Sequence, residues 1–211
     1  MKTDHAVQLR HIEKALAKSH AGSATPLPVK LRMAAVLLHL MERRKKFGLF
    51  VILGWKERWK SYADTPDVSQ DLFAQRGINI MKIPERTARR PRRDRGNIVN
   101  TVNFDGAILV DSRGNVLHSG TMIEGLRPRA TAHKLSPGHA PDLSSHFGFK
   151  RKVHMRHITA ITSSYTFRGT TVFTISEETN DLHIFEGGKI IYSSVRGEPI
   201  VSTKRRVKIV R

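Results

Sequence analysis

The chain has 211 residues, enough for one ordinary domain with an extension and too few for two large ones, since single domains mostly run to about 100–200 residues. Its 37 Lys and Arg outnumber 18 Asp and Glu by 19, which predicts a polyanionic partner or substrate: nucleic acid, nucleotide phosphates or an acidic surface. With no cysteine, disulfide scaffolds, thiolate nucleophiles and cysteine-bound zinc or iron–sulfur centres are excluded, leaving His and carboxylates as metal ligands. No apolar run approaches the roughly 18 residues of a membrane span, and Met1 to His20 is charged and amphipathic, so a soluble cytoplasmic protein is expected.

Val7, Leu9, Ile12, Ala15 and Leu16 fall near helical spacing within Asp4 to Ser19, and the run from Ala21 to Pro26 then breaks the pattern. Val29 to Lys46 repeats the signal more strongly: Leu31, Val36, Leu37, Leu40 and Met41 share a face, and Arg43 to Lys46 supply cations to the last turn. Phe47 to Gly54 reads FGLFVILG, the continuous apolar pattern of a strand buried on both faces, and predicts a central strand. Trp55 to Ile83 is mixed, and Lys82 to Arg95, with seven Lys or Arg and two prolines, reads as a loop.

In the second half, Ala107 to Val110 and Val116 to Ser119 are short strands joined by the turn formers Asp111 to Asn115. The gap holding Arg127, Pro128, Arg129, Pro137, Gly138 and Pro141 is expected to be an exposed loop. Arg156 to Tyr165 then reads as a helix, and Thr170 to Ser176, Leu182 to Phe185 and Lys189 to Tyr192 as strands. Lys204 to Arg211 alternates basic and apolar residues, as a strand or a disordered tail does. No repeat of fixed period is present.

Three short segments carry chemistry. Asp105-Gly106-Ala107 opens a strand with a carboxylate beside two very small residues; alone, it reads first as an ordinary Asp-Gly turn and second as a place for a ligand or cation. Arg156-His157 at a helix start offers N–H groups and a phosphate-matched fork, or merely extends the solvated patch Lys150-Arg151-Lys152. Ser176-Glu177-Glu178-Thr179 gathers carboxylates in a cationic protein, either as ligands of a divalent ion or as neutralisers of nearby Arg. The histidines His133, His139, His146, His154 and His157 fit no helical metal motif, and no Gly-x-Ser-x-Gly elbow is present.

In this order the three segments resemble the diadenylate cyclase domain, the family of the N-terminal domain of the DNA-integrity-scanning protein DisA. That family carries Asp-Gly-Ala, then Arg-His-Arg, and in many members a strand ending in Ser-Glu-Glu-Thr. The helix ending at Lys46, the strand FGLFVILG and the hairpin AILVDSRGNVLHSG are similar to the family's neighbourhood, so the resemblance spans roughly Val29 to Tyr192. It implies an α/β fold with a mixed central β-sheet flanked by helices. The expected division is an N-terminal helix and linker at 1–28, the domain at 29–195 and a basic tail at 196–211.

By the same resemblance the activity is condensation of two ATP into cyclic di-AMP with release of pyrophosphate, aided by a divalent cation, Mn or Mg. It would work in a facing homodimer or a higher homo-oligomer. The implied catalytic residues are Asp105, Arg156 and His157. Gly106, Ala107, Met122, Ile123, Arg156, His157, Ser176 and Glu177 would bind nucleotide, and Asp105 and Glu178 metal. The family usually has Gly-Thr before Arg-His and a second Arg after it; here His154-Met155 precedes and Ile158 follows. A hydroxyl and a cation are thereby missing from the phosphate cradle, with Lys150, Arg151, Lys152 or Thr159 as substitutes.

The alternatives are a catalytically degenerate nucleotide binder of this fold and a nucleic-acid-binding protein. The basic segments 82–95 and 204–211 contribute +5 each, +10 of the +19, and such patches bind phosphodiester backbones. Neither contains an aromatic side chain for base stacking, so nucleic-acid binding is expected as an accessory property more than as the sole function.

Overall fold

The computed structural model describes residues 5–19, 23–43, 46–67, 71, 77–83, 106–138 and 140–198. Asp105, His139, most of the basic segment after Ile83 and the basic tail lie outside them. The first helix, α1 (His5–Lys18), is followed by α2 (Leu27–Arg43), which starts two residues ahead of the sequence-based boundary. Leu49–Leu53 form β1, with all five residues buried.

A short 3-10 turn, Glu57–Tyr62, leads to β2 (Ala63–Asp64), and a second, Ile80–Lys82, precedes β3 (Ala107–Val110) and β4 (Val116–Ile123). Then come α3 (Pro128–Leu135), α4 (Leu143–His146), α5 (Met155–Thr166), β5 (Thr171–Ile175), β6 (Leu182–Glu186) and β7 (Lys189–Ser193). The described strands make one sheet in the order β2-β4-β3-β1-β5-β6-β7, with β1 in the middle. β1 runs parallel to β3 and every other pair is antiparallel, which makes this an α/β fold with a mixed sheet flanked by helices.

Alternation along β1 builds two cores. Leu49, Val51 and Leu53 face the layer of α1 and α2, packing with Ile12, Leu16, Met33 and Leu37. Phe50 and Ile52 face the other side, with Ile158 and Ile161 of α5 and with Trp55, Phe147 and Phe167. β6 divides likewise: Leu182 and Ile184 belong to the first core and Phe185 to the second. A strand covered on both faces needs an unbroken apolar run, which is why FGLFVILG occupies the centre.

The expected exposed loop after β4 is instead partly helical. Pro128 occupies the first turn of α3, where its fixed φ is pre-set for helix and its missing N–H costs nothing. Thr131 and Ala132 are buried there. Asp142 accepts a hydrogen bond from the Ser145 N–H at 2.9 Å and caps α4. Among the described residues, no helix is long and apolar enough to cross a membrane.

Candidate functional site

β3 starts, and β4 and β5 end, at the edge of the sheet where β1 begins, and a cleft of about 750 Å³ opens there. Gly106 lines it from one side and Ser176, Glu177 and Glu178 from another. Thr121, Met122 and Ile123 come from the end of β4, His154 to His157 from the start of α5, and Phe50 from β1. The three distant motifs thus contribute to one cavity, with Met122, Ile123, Arg156, His157, Ser176, Glu177 and Glu178 all on its wall.

Ala107 is not on that wall: it is fully buried in the second core, paired with Thr121 across the ladder. Gly106 has a structural reason beyond ligand access. Its φ is +122°, and a Cβ would sit 2.5 Å from the carbonyl carbon of Gly120. Because the obstacle is backbone, Gly106→Ala is expected to cost about 2–3 kcal/mol in urea unfolding, through strain and overpacking. An unchanged unfolding midpoint would show that β4 yields at Gly120.

The N-terminus of α5 points at anion chemistry. His154 stands at the N-cap and gives no side-chain cap to the first N–H groups; its Nε2 instead meets Glu178 Oε1 at 2.9 Å, on the exposed rim. Arg156 Nη1 lies 4.0 Å from Glu177 Oε2. Its guanidinium packs onto Gly48: a Cβ there would come within 2.6 Å of Cζ. Glu177 and Glu178 are exposed, so their pairings add little to stability. Ser176, just past β5, receives the Thr179 N–H on its hydroxyl at 3.3 Å and shapes the turn that carries both carboxylates.

His157 is buried, and it cannot serve as a cationic phosphate ligand near neutral pH. Burial first, then the neighbouring His183 and Arg156, depress its pKa from 6.5 to about 3. The unfolded chain takes up this proton more readily, so the stabilising contribution of a neutral His157 is full above pH 6.5 and is lost as pH falls toward 3. Glu198 acts lower on the scale. Burial pushes its pKa up, but hydrogen bonds from His183, Ser193 and the Lys150 N–H bring it from 4.5 to about 2, so its contribution fades only below pH 4.5. The urea midpoint is therefore expected to drop between about pH 7.5 and 5.5, and His157→Gln to remove much of that drop. An equal drop in the variant would assign it to other groups.

The departures from the diadenylate cyclase pattern also find their places. Met155 is exposed on the cleft rim, whereas Ile158 is buried in the second core and does not line the cleft. Of the substitutes, Thr159 is on the cleft wall, Arg151 and Lys152 line a smaller cavity of about 60 Å³ behind it, and Lys150 Nζ is bonded to the Arg196 carbonyl at 3.0 Å. Sequence reasoning missed Gly48, Phe50, Thr121, His183 and Glu198. Gly48 reads as a helix stop and the rest as ordinary core or tail, and only the helix-stop glycine carries a local signal.

No family model and no curated protein matches this chain. Among solved structures, it is similar to a hypothetical membrane spanning protein from Bacillus cereus, at 17% identity over 76% of this chain and 60% of that one, with a TM-score of 0.46. It is also similar to a double mutant of DacA from Staphylococcus aureus, at 13% identity over 79% of this chain and 87% of that one, with a TM-score of 0.42. The chain thus spans less than two thirds of the first of these. At such identities and scores the matches assign neither family nor activity.

Proposed function

We propose that this protein is a nucleotidyltransferase of the diadenylate cyclase type, condensing two ATP into cyclic di-AMP. The observation that carries this reading is the convergence of Gly106, Arg156 with His157, and Ser176 to Glu178 on one cleft. A cavity of about 750 Å³ suits a single nucleotide, so the second ATP is presented by a facing copy of the chain. Each ribose 3'-hydroxyl then attacks the α-phosphorus of the opposite ATP, one P–O bond forms as another breaks, and pyrophosphate leaves twice. An in-line approach of this kind depends on positioning and on neutralising phosphate charge.

Arg156 and the N-terminus of α5, which the His154 side chain does not cap, hold the phosphates by charge and by paired N–H donors. His157 adds a neutral imidazole to the same wall and Ser176 a hydroxyl. The apolar side chains of Met122 and Ile123 offer a surface to the base. Asp105, the residue before Gly106, orients the 3'-hydroxyl.

The donor set fits a hard divalent cation, Mn or Mg. Among the described residues no three His, Asp or Glu side chains converge on one point, and such ions are commonly held by one or two carboxylates plus substrate phosphates. Glu178 and Asp105 would hold it, with Glu177 at hand. When bound it withdraws electron density from the α-phosphate and offsets its charge.

The test is to incubate the pure protein with ATP and Mn or Mg and to assay cyclic di-AMP, with Asp105→Asn as control. Product from the unaltered chain alone is expected. Product that survives the substitution would remove Asp105 from its role. ATP binding without product would leave the catalytically degenerate reading, in which the exposed Met155 and the buried Ile158 supply neither the hydroxyl nor the second cation of the phosphate cradle. Salt-dependent nucleic-acid binding indifferent to ATP would replace both.

A further inference from the structure

Behind the cleft, β6 and the segment after β7 carry a buried polar chain that the chemistry above leaves unused. His183 is 3% exposed and projects to the same side of the sheet as Phe185. Its ring is stacked on Phe185 at 5.9 Å with 4° between planes, and Phe149 meets it edge-on at 5.6 Å. Its Nε2 lies 2.7 Å from Glu198 Oε2, which also accepts the Ser193 hydroxyl at 2.5 Å. The other oxygen, Oε1, accepts the Lys150 N–H at 2.9 Å. With its pKa at about 2, Glu198 is ionised near neutral pH.

An ionised carboxylate only accepts hydrogen bonds, so Nε2 of His183 carries the hydrogen donated to Glu198, and in the neutral ring Nδ1 then holds the lone pair. That Nδ1 is buried with no hydrogen-bond partner among the described residues, and the same holds for Nε2 of His157. The two rings stand 5.0 Å apart at 88°, and both line the cavity of about 60 Å³, which has room for a bridging water. One lone pair and one N–H satisfy each other; two facing lone pairs leave two buried polar atoms unpaired at a cost to the fold.

Taking the cleft as the nucleotide site proposed above, we propose that Glu198 and His183 are positioning residues for His157. Glu198 fixes His183 as the Nε2–H tautomer, and the acceptor this leaves at Nδ1 holds the Nε2–H of His157, directly or through one water. His157 thereby stands in the cleft wall with one ring orientation and one tautomer, its Nδ1 being the acceptor nitrogen. A carboxylate aligning an imidazole through its second nitrogen is a general way of presetting a ring for chemistry.

Long-range ¹H–¹⁵N NMR of the full chain without ATP, near pH 7, tests this independently of any cyclase activity. Both His183 and His157 are expected as Nε2–H tautomers. His183→Phe keeps the aromatic packing and removes the acceptor, so His157 is expected to lose its single-tautomer pattern. Glu198→Gln, which replaces one accepting oxygen with an NH2 donor, is expected to change the His183 pattern. Hydrogen on Nδ1 of His183 in the unaltered protein would overturn the proposal even if neither variant folds, and so would an unchanged His157 signal in folded His183→Phe. If the cyclase reading holds, His183→Phe lowers kcat about tenfold or more and moves KM for ATP less. If no cyclic di-AMP forms, the NMR result still stands or falls alone.

Discussion

Lys30→Met, with Glu186 retained, is expected to lower stability by about 3–5 kcal/mol, because it strands a carboxylate in the interior. The Lys30 side chain is 6% exposed and that of Glu186 fully buried, and Nζ lies 2.6 Å from Oε1. The Thr171 hydroxyl donates to the same oxygen at 2.6 Å, and the Ser19 hydroxyl donates to Oε2. After Lys30 is removed, two hydroxyls remain, which solvate an anion far less well than an ammonium and two hydroxyls do. The double variant Lys30→Met with Glu186→Leu is expected to recover most of the loss, since apolar replacement of a buried pair is often neutral. Urea unfolding of the three proteins at pH 7 checks both statements. A single-variant loss below about 1 kcal/mol would mean that water reaches Glu186 when Lys30 is gone.

That pair also explains how α1 belongs to the fold. Ser19 just past α1, Lys30 on α2 and Thr171 on β5 all meet Glu186 at the end of β6, so one carboxylate ties the helical layer to the sheet. Alternation along β6 sends Leu182, Ile184 and Glu186 toward that layer and His183 and Phe185 toward the cleft side. One five-residue strand therefore serves both the docking of α1 and α2 and the wall behind the candidate site.

What the sequence reveals follows the range of the interactions. β1 is legible because burial on both faces leaves its mark within eight consecutive letters, and the strand sits mid-sheet as expected. Two of the three hairpins, β3–β4 and β6–β7, are legible because Asp111 to Asn115 and Gly187-Gly188 are local turn chemistry; the Asp111 side chain accepts the Arg113 and Asn115 N–H groups at 2.8 Å each. α3 and α4 are not, since Pro128 and Asp142 read equally as breakers and as helix starts, and only burial of Thr131 and Ala132 decides. Ala107 looks like ligand room because its size is visible and its burial is not. The Gly106 contact with Gly120, the Arg156 contact with Gly48 and the His183 bond to Glu198 are set by packing between separate elements. Nothing within a local window of sequence announces them.

If the cleft is the nucleotide site proposed above, Arg156 is the side chain on which ATP affinity is expected to depend most. Arg156→Leu is expected to weaken ATP binding about 10- to 100-fold, the effect of losing charge-assisted hydrogen bonds to phosphate, and Arg156→Lys to restore only part, because the planar fork is lost. Gly48→Ala separates the guanidinium's position from its presence. Gly48 is not in the left-handed region, and its added Cβ would collide with the flexible tip of Arg156, 2.6 Å from Cζ, with no backbone as the nearest obstacle. The fold is therefore expected to tolerate alanine, with a stability change within about 1 kcal/mol, while the guanidinium swings off its seat beside Glu177 and ATP affinity falls about tenfold. Isothermal titration with a non-hydrolysable ATP analogue, alongside urea unfolding, distinguishes the outcomes. Unchanged affinity in both Arg156→Leu and Gly48→Ala would mean that the α5 N-terminus is not where the phosphates sit, and the cleft would then need a different ligand.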